Sequence, residues 1–528
     1  MLGPREPHEW GLDTLRQPWP ADRPSILAAI RGALARGDSQ AELPDEEYVA
    51  IEPGIRFMPG LHDRTMLIHE DERGLEGQVQ HIMDSLYRLA SSGRQADLDR
   101  FYTEVVEHRM ADALPIVADI LRDGTRLPRE RLVAVGRYLM NGAPDRDAVK
   151  LGAVLVGAAG AAADSSLLVE LAGHEEFTDV ALEALTGTED EIREAAFDIA
   201  RRTSGWGRVA AVGRLDGSND PEIKDWLLRN GHSLHVYEVT EICVLCARTG
   251  GLAEALARDT LDAELLLALA GLFGDLTWTT DRPDHDPHMN DYERGIEAAR
   301  QLVRHLDMAE PEIRLWERVV LLRNALDPDL DLSWPLKEVD ALRSGLDRFL
   351  ARPEWPTVAE RALETAMDPH TCSAAARAAE HFGIPMFDHA WRWLHEDYEL
   401  GGWVRAMEEV TAERIDEVLE YALATFRLPD IPQEPTGELY YHGGKFYRAL
   451  SDLNCVVGRL NRFPGKGWEL IRIGLRTPGS RDREDAVRAL EAWAPESLTD
   501  EQRAYLAWAA AGEPDVELRR RMQALADA

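Results

Sequence analysis

The sequence predicts an all-α protein: an irregular α-solenoid of stacked helix pairs, preceded by a less regular N-terminal segment. Three observations carry the prediction. Beyond about residue 75, apolar residues recur at i, i+3, i+4 and i+7 in windows of some 10 to 17 residues. Breakers such as NGAPD, TGTED, DGSNDPE, RPEWP and RTPGSRD fall between those windows. Almost nothing alternates with the period of two that a half-buried strand shows.

Residues 1–75 stand apart through their prolines and their lack of clean helical periods. One exception is SILAAIRGALARG (25–37), which reads as a helix. EYVAIEPGIRFMPGLHDRTMLIHE (47–70) reads as extended or looped, because prolines and β-branched residues interrupt it. LEGQVQHIMDSLYRLASSG (75–93), RERLVAVGRYLMNG (129–142) and DRDAVKLGAVLVGAAG (145–160) then carry the helical period. Five later helices begin alike, at TEDEIREA (188–195), SNDPEIKD (218–225), MDPHTCSA (367–374), SRDREDAV (480–487) and GEPDVELR (512–519). Each starts with a Ser, Thr or Asp that can cap the first turn, or with an acidic-Pro pair. A basic residue about one turn on can pair with the acid, and inner alanines let helices approach closely. Such helix-turn-helix units cannot bury an apolar face alone and must stack. The expected organisation is an irregular segment over 1–75, helical repeats over 76–350 and further repeats over 351–528. A compact all-helical multidomain protein is the rival.

At 528 residues the chain is too long for one compact domain, and 95 acidic against 59 basic residues give a formal charge of −36. That field repels phosphate backbones, so nucleic acid is not an expected partner. One local exception is the stretch 459–483, where Arg459, Arg462, Lys466, Arg472, Arg476, Arg481 and Arg483 face only Glu469 and Asp482. Its first reading is compensation of acidic neighbours; its second is a docking surface for an acidic group. The four cysteines, Cys243, Cys246, Cys372 and Cys455, are too few for a disulfide framework and fit a reducing compartment. MLGPREPHEWGLDTL lacks the apolar core of a secretory signal. The longest apolar run, LGAVLVGAAGAAA (151–163), falls short of the roughly 20 residues that cross a bilayer. A soluble, cytoplasmic protein without a membrane span is expected.

The repeated unit resembles HEAT-type repeats, with degenerate spacing. Two blocks carry a closer resemblance: TSGWGRVAAVGRLDGSNDPEIKDWLLRNG (203–231) with HSLHVYEVTEICVLCA after it, and NRFPGKGWELIRIGLRTPGSRDREDAVRALEAW (461–493). Both are similar to a family of bacterial HEAT-like proteins, largely uncharacterised and sometimes labelled limonene hydroxylase. The likeness covers about 128–325 and 436–495. It implies a helical-repeat fold and, through the label, an oxygenase, but it brings no catalytic residues with it. The residues give the label little support. No cysteine sits in a Gly-rich haem loop. GWGRVAAVG (205–213) lacks dinucleotide-binding spacing and a preceding strand, and FPGKGWE lacks the glycine spacing and Ser/Thr of a phosphate loop. A two-histidine, one-carboxylate iron site is compatible with the composition.

The densest set of possible ligands is DRPDHDPHMNDYE (281–293), with Asp284, His285, Asp286, His288, Asp291 and Glu293. His285 and His288 with a carboxylate suit zinc or iron. The competing reading is a Pro-stiffened connection between helices, with Asp291 capping a helix from about Tyr292. His232, His235, Cys243 and Cys246 in GHSLHVYEVTEICVLC offer zinc ligands, although VYEVTEICVLCARTG reads as a packed helix. GLHDRTMLIHED (60–71), with His62, Asp63, His69, Glu70 and Asp71, reads first as a cap over the first helices. Trp391 and Trp393 cannot share one helix face, so one of them is expected to be partly exposed. GELYYHGGKFYRAL (437–450) suggests a loop leading into a helix.

With no cofactor fingerprint, the leading expectation is a non-enzymatic scaffold that binds a basic or amphipathic protein or peptide on its curved surface. The alternative is a metal-dependent or small-molecule enzyme with a pocket in the concave face, its metal held by Asp284, His285, His288 and Asp291. A HEAT-like DNA repair enzyme is the least favoured, because it needs a basic groove.

Overall fold

Helix starts follow the local capping chemistry. Ser25 Oγ accepts from the Ala28 N–H, Asp220 from Glu222 and Ile223, Asp368 from Thr371, and Asp515 from Leu518. Thr188 with Glu191 and Thr499 with Gln502 close reciprocal capping boxes. Pro221 and Pro369 occupy first-turn positions, where a missing N–H costs nothing. One expected cap differs. The helix at 480 starts on Ser480 itself, after Gly479, with no side-chain cap.

The computed structural model describes residues 11–45, 50–52, 55–56, 60, 72–107, 113–124, 127–160, 162–233, 240–277, 288–326, 333–396, 402–437 and 447–528. Among them are 27 α-helices and one two-stranded ribbon, Ala50–Glu52 with Ile55–Arg56. The chain divides into two compact units. One comprises Met1–Ala50, Phe57–Met308 and Leu322–Gly345, the other Ile51–Arg56, Ala309–Leu321 and Leu346–Ala528.

The first unit opens with α1 (Ile26–Leu34), α2 (Glu72–Ser92), α3 (Gln95–Glu107), α4 (Ala113–Gly124), α5 (Arg129–Gly142) and α6 (Arg146–Ala158). It continues through α7 (Ser165–Leu171), α8 (Thr178–Ala184), α9 (Glu189–Ala200), α10 (Gly205–Gly213) and α11 (Pro221–Trp226). A π-helical turn, Leu227–Gly231, leads to α12 (Thr240–Gly250), α13 (Leu252–Leu256), α14 (Ala263–Thr277) and α15 (Gly295–Met308). Helices pack on their sequence neighbours and on the next but one: α5 on α6, α6 on α8, α8 on α10, α10 on α12 and α12 on α14. This order of contacts is that of stacked helix pairs.

Helix α6 is the core of this unit. Every residue from Arg146 to Val156 is buried, although the helix carries two cations and an acid. The apolar run is thus buried among helices over 151–156, and no helix of the described residues is long and apolar enough to cross a membrane. The α5 and α6 backbones touch through two glycines. A Cβ on Gly136 would stand 2.6 Å from the Gly152 carbonyl oxygen, and one on Gly152 would stand 2.8 Å from that of Gly136.

The N-terminal segment lies across these helices. Trp19 is buried over Gly142, with ring centroids 5.1 Å from Tyr102 and 5.2 Å from Tyr138. The Ile26 N–H donates to the Ala143 carbonyl at 3.0 Å. Arg31 grips Glu170 through Nε at 2.7 Å and Nη2 at 2.8 Å.

Helices α16 (Ile313–Ala325) and α17 (Leu336–Leu350) contribute residues to both units. The second unit continues with α18 (Trp355–Thr365), α19 (Pro369–Phe382), α20 (Phe387–His395), α21 (Gly402–Glu409) and α22 (Ile415–Thr425). It closes with α23 (Tyr447–Val457), α24 (Trp468–Gly474), α25 (Ser480–Glu491), α26 (Asp500–Ala511) and α27 (Val516–Asp527). The pairs α18–α19, α20–α21, α24–α25 and α26–α27 pack directly. A continuous core runs through Met407, Leu453, Leu470, Leu490, Leu506 and Met522. The fold class is therefore the all-α stacking of helix pairs that the periodicity predicts.

Candidate functional site

The histidine-rich segment is only partly placed. Asp284, His285 and Asp286 lie outside the described residues. His288–Asp291 form a short 3-10 turn that packs on α12 and α14. Met289 in this turn is fully buried, and Asn290 Oδ1 accepts from the Ser333 N–H at 2.9 Å. Tyr292 is buried next to it, its hydroxyl accepting from the Ala253 N–H at 3.1 Å. The following helix begins only at Gly295, so Asp291 is not its N-cap. Gly295 is pressed between Met289 and the Trp334 ring, which sets where the helix can start. Among the described residues, no group of three His, Cys, Asp or Glu side chains is placed to hold a metal ion.

The other nominated residues are dispersed. His62, Asp63, His69, Glu70, Asp71 and His235 lie outside the described residues. Cys243 and Cys246 share the buried side of α12. Burial, reinforced by Asp275, pushes both thiols well above their ordinary range, which disfavours the thiolates a metal would need. His232 follows the π-helical turn and places Nδ1 2.8 Å from Asp275 Oδ2. Its buried Nε2 has no hydrogen-bond partner among the described residues. Trp393 is buried, whereas half-buried Trp391 packs on Phe387, His395 and Tyr421. The segment 438–446 is not described, and α23 begins just after it.

The basic stretch 459–483 is largely neutralised. Arg459 meets Glu408 at 3.2 Å, Lys466 meets Asp416 at 2.7 Å, Arg472 meets Glu469 at 2.7 Å and Arg481 meets Glu484 at 3.2 Å. Arg462 donates to the carbonyls of Met407 and Glu408. Arg476 lies over the Trp508 ring at 4.6 Å and donates to the Gln433 carbonyl. Arg483 is fully buried against Glu513. Compensation of nearby acids describes this stretch better than an open anion site.

Sequence reading missed the largest polar constellation, which lies under the N-terminal segment. Asp45 accepts the Arg146 backbone N–H at 2.7 Å and its Nε at 3.1 Å. Glu176 accepts Lys150 Nζ at 2.6 Å and the Gly60 N–H at 3.1 Å, with Arg146 Nη1 at 3.4 Å. Glu175 accepts from Ser39 Oγ at 3.2 Å, Gln40 Nε2 at 2.8 Å and Ser204 Oγ at 2.7 Å. The Glu176 N–H donates to His174 Nδ1 at 3.2 Å, so the ring proton sits on Nε2 and goes to the Ala41 carbonyl at 2.9 Å.

Burial raises the carboxyls of Asp45 and Glu175. It pushes Glu176 the same way, but Lys150 and Arg146 outweigh it and hold that carboxyl well below the usual range. These groups bond to one another and to backbone, so the constellation acts as a clamp that fastens residues 39–45 and Gly60 onto the helices. The signals were RDAVK opening an otherwise apolar helix and the HEE triplet at 174–176.

Exposed apolar side chains mark a different surface. Helix α4 buries Ala113, Leu114, Val117, Ala118 and Leu121. Its outer face carries Ile116 at 36% exposure and Ile120 at 40%, one turn apart. Asp119 and Asp123 are exposed on the same face; Arg122 bridges Asp119 at 3.1 Å and Glu183 at 2.8 Å.

No protein-family model matches the chain, and no curated protein matches it. Among solved structures it is similar to a circular tandem repeat protein with novel repeat topology and enhanced subunit contact surfaces, at 15% identity. The match covers 86% of this chain and 94% of the other, but the TM-score is 0.16, too low to bear on fold or function. The helix pairs seen here account for the coarse part of the resemblance, a repeat-built helical protein; the HEAT label and the hydroxylase name go further than any of these findings.

Proposed function

We propose that the protein is a non-enzymatic helical-repeat scaffold that binds a basic, amphipathic protein segment. The observation that carries this reading is the outer face of α4. Apolar side chains at i and i+4, with the acid Asp123 at i+7 and Asp119 at i+3 shared with Arg122, complement an amphipathic helix bearing Lys or Arg beside its apolar stripe. The −36 charge favours encounter with such a partner and disfavours nucleic acid. Four cysteines are too few for a disulfide framework, which fits a reducing compartment, and a cytoplasmic location goes with this reading.

Gentle affinity purification from the native cell should recover a stoichiometric basic partner. Ile116→Lys with Ile120→Lys should weaken its binding by about tenfold or more, as loss of apolar anchors does. Absence of any stoichiometric partner, or full retention by the double variant, would overturn the reading.

A metal-dependent enzyme is the second reading, and one observation favours it. A carboxylate on one imidazole nitrogen, with the other left unpaired, is how proteins orient a metal-binding histidine. His232 and Asp275 have that relation, and the turn beginning at His288 packs on both α12 and α14. Elemental analysis of untagged protein decides between the readings. About one equivalent of transition metal that is lost on His232→Ala supports the second; less than about a tenth of an equivalent removes it.

A further inference from the structure

A cavity of about 680 Å³ lies between residues 11–19 and one face of α5. Ala134, Arg137, Tyr138 and Asn141 form that face, at i, i+3, i+4 and i+7. The opposite side of α5 is used up against α6, where Gly136 meets Gly152. What covers the free side is not another helix but an irregular strand of chain with a single 3-10 turn, Leu12–Thr14. Such a cover does not interdigitate with helix ridges along its length, and a space is left between them. Buried Leu12 and Trp19 bound it on the N-terminal side. Trp19 is fixed in place, because the Gly142 position directly beneath its ring has no room even for a Cβ, which would stand 2.7 Å from the ring.

The lining is chemically selective. Among the described residues that line it none is acidic, in a chain with 95 carboxylates. Arg137 binds the buried Asp164 through Nε at 2.6 Å and Nη2 at 2.9 Å, which leaves Nη1 outside that fork. Asn141 donates Nδ2 to the Arg137 carbonyl at 2.8 Å, so its Oδ1 remains for a ligand, and the Gln17 amide is exposed at the rim. A cation would find no counter-charge here. A flat ring would find Trp19 and Tyr138, and an oxygen acceptor would find donors. The volume suits a small molecule and is too small for a folded partner.

We propose that this cavity binds a small aromatic compound carrying an oxygen acceptor group, its ring beside Trp19 and Tyr138 and its acceptor at Arg137. The site is separate from the outer face of α4 and does not depend on the scaffold reading.

The test uses the full chain and 1-anilinonaphthalene-8-sulfonate, a two-ring aryl sulfonate whose fluorescence rises in apolar surroundings. Saturable binding of one equivalent is expected, even though the net charge of the protein repels an anion. Ala134→Trp fills the space and should weaken binding by about tenfold or more, whereas Ile120→Lys on α4 should leave it unchanged. Arg137→Lys keeps the charge beside Asp164 but loses the planar fork, and should weaken binding several-fold. If Ala134→Trp does not fold, Asn141→Trp on the same face takes its place. No saturable binding, or equal binding by a folded space-filling variant, would overturn the assignment.

Discussion

The ion pair Arg483–Glu513 gives the sharpest energetic prediction, because both side chains are fully buried and bonded among the described residues. Glu513 accepts Arg483 Nε at 2.6 Å and Nη2 at 2.8 Å, and also the Asp515 N–H at 2.9 Å. Arg483 further donates to the carbonyls of Thr477, Pro478 and Thr436. Glu513→Ala leaves a guanidinium uncompensated in the core and should cost about 3–5 kcal/mol. Arg483→Met strands the carboxylate instead and removes carbonyl bonds as well. The Pro478 carbonyl keeps the Thr436 N–H and hydroxyl, so two bonds are lost outright, at about 1 kcal/mol each. Arg483→Met with Glu513→Leu removes both charges, and only the two carbonyl bonds and the Asp515 N–H bond, which Glu513→Ala loses as well as stranding its charge, should remain lost, about 3 kcal/mol in all. The double variant is therefore more stable than either single one. A protein of two units need not unfold in one step, so the readout is amide exchange in α25 and α27 rather than a global midpoint. The differences should persist in 1 M salt, since the pair is dry. Additive losses, or a cost for Glu513→Ala under about 1 kcal/mol as for a surface pair, would refute the reasoning.

Two further predictions concern the first unit. Gly136→Ala puts a methyl 2.6 Å from a backbone oxygen that cannot rotate away, and should cost about 1–3 kcal/mol with a lower melting temperature; an unchanged melt would contradict the close α5–α6 approach. Glu176 titrates in the folded state below its ordinary value near 4.5, so its contribution is complete above that pH and is lost as pH falls towards the depressed value. Asp45 and Glu175 have raised carboxyls and act with the opposite sign: their contribution is full at low pH and is lost as pH rises from the ordinary carboxylate value to the raised one. Glu176→Gln should therefore destabilise the first unit at neutral pH and flatten its loss of stability between about pH 4.5 and 2, read by circular dichroism on acid titration. A profile as steep as that of the unaltered protein would count against this sign.

Helix identity was legible because it is written locally. Thr188, Asp220, Asp368 and Asp515 cap their helices where the sequence puts a cap before an apolar period. Ser480 does not, because the turn before it is organised from afar: the Thr436 N–H and hydroxyl both bond the Pro478 carbonyl, 42 residues along the chain. Asp291 misled for a similar reason. Met289 before it and Tyr292 after it are both buried, so the helix starts later than the capping pattern suggests. Side-chain clusters were the least legible feature. Nothing in the spacing of Asp45, Arg146, Lys150 and Glu176 announces contact, since their partners are up to 116 residues apart. Residue types that invite metal chemistry drew attention to 281–293, while the cations inside α6 drew none.

Those cations show why the irregular N-terminal segment is structural. A helix in a single layer of stacked pairs has neighbours on some sides only, yet α6 is buried on all of them. Arg146 and Lys150 would be less covered if Asp45 did not lie against Arg146 and Gly60 against Glu176, the partner of Lys150. The apolar residues around those cations would then be less covered too. Deleting residues 1–45 should therefore do more than remove a tail. It takes away the carboxylate of Asp45, the Trp19 contact on Gly142 and the Ile26 bond to Ala143 together. Each loss is of order 1–3 kcal/mol, and they fall on α5, α6 and the link between them, so their sum of about 3–9 kcal/mol is comparable with the stability of a typical domain. The truncated chain should lose amide protection in α5 and α6 first, with α25–α27 unaffected. Retained protection in α5 and α6 would mean that the stack closes without its cover, and the clamp would then be an ornament of the fold rather than part of it.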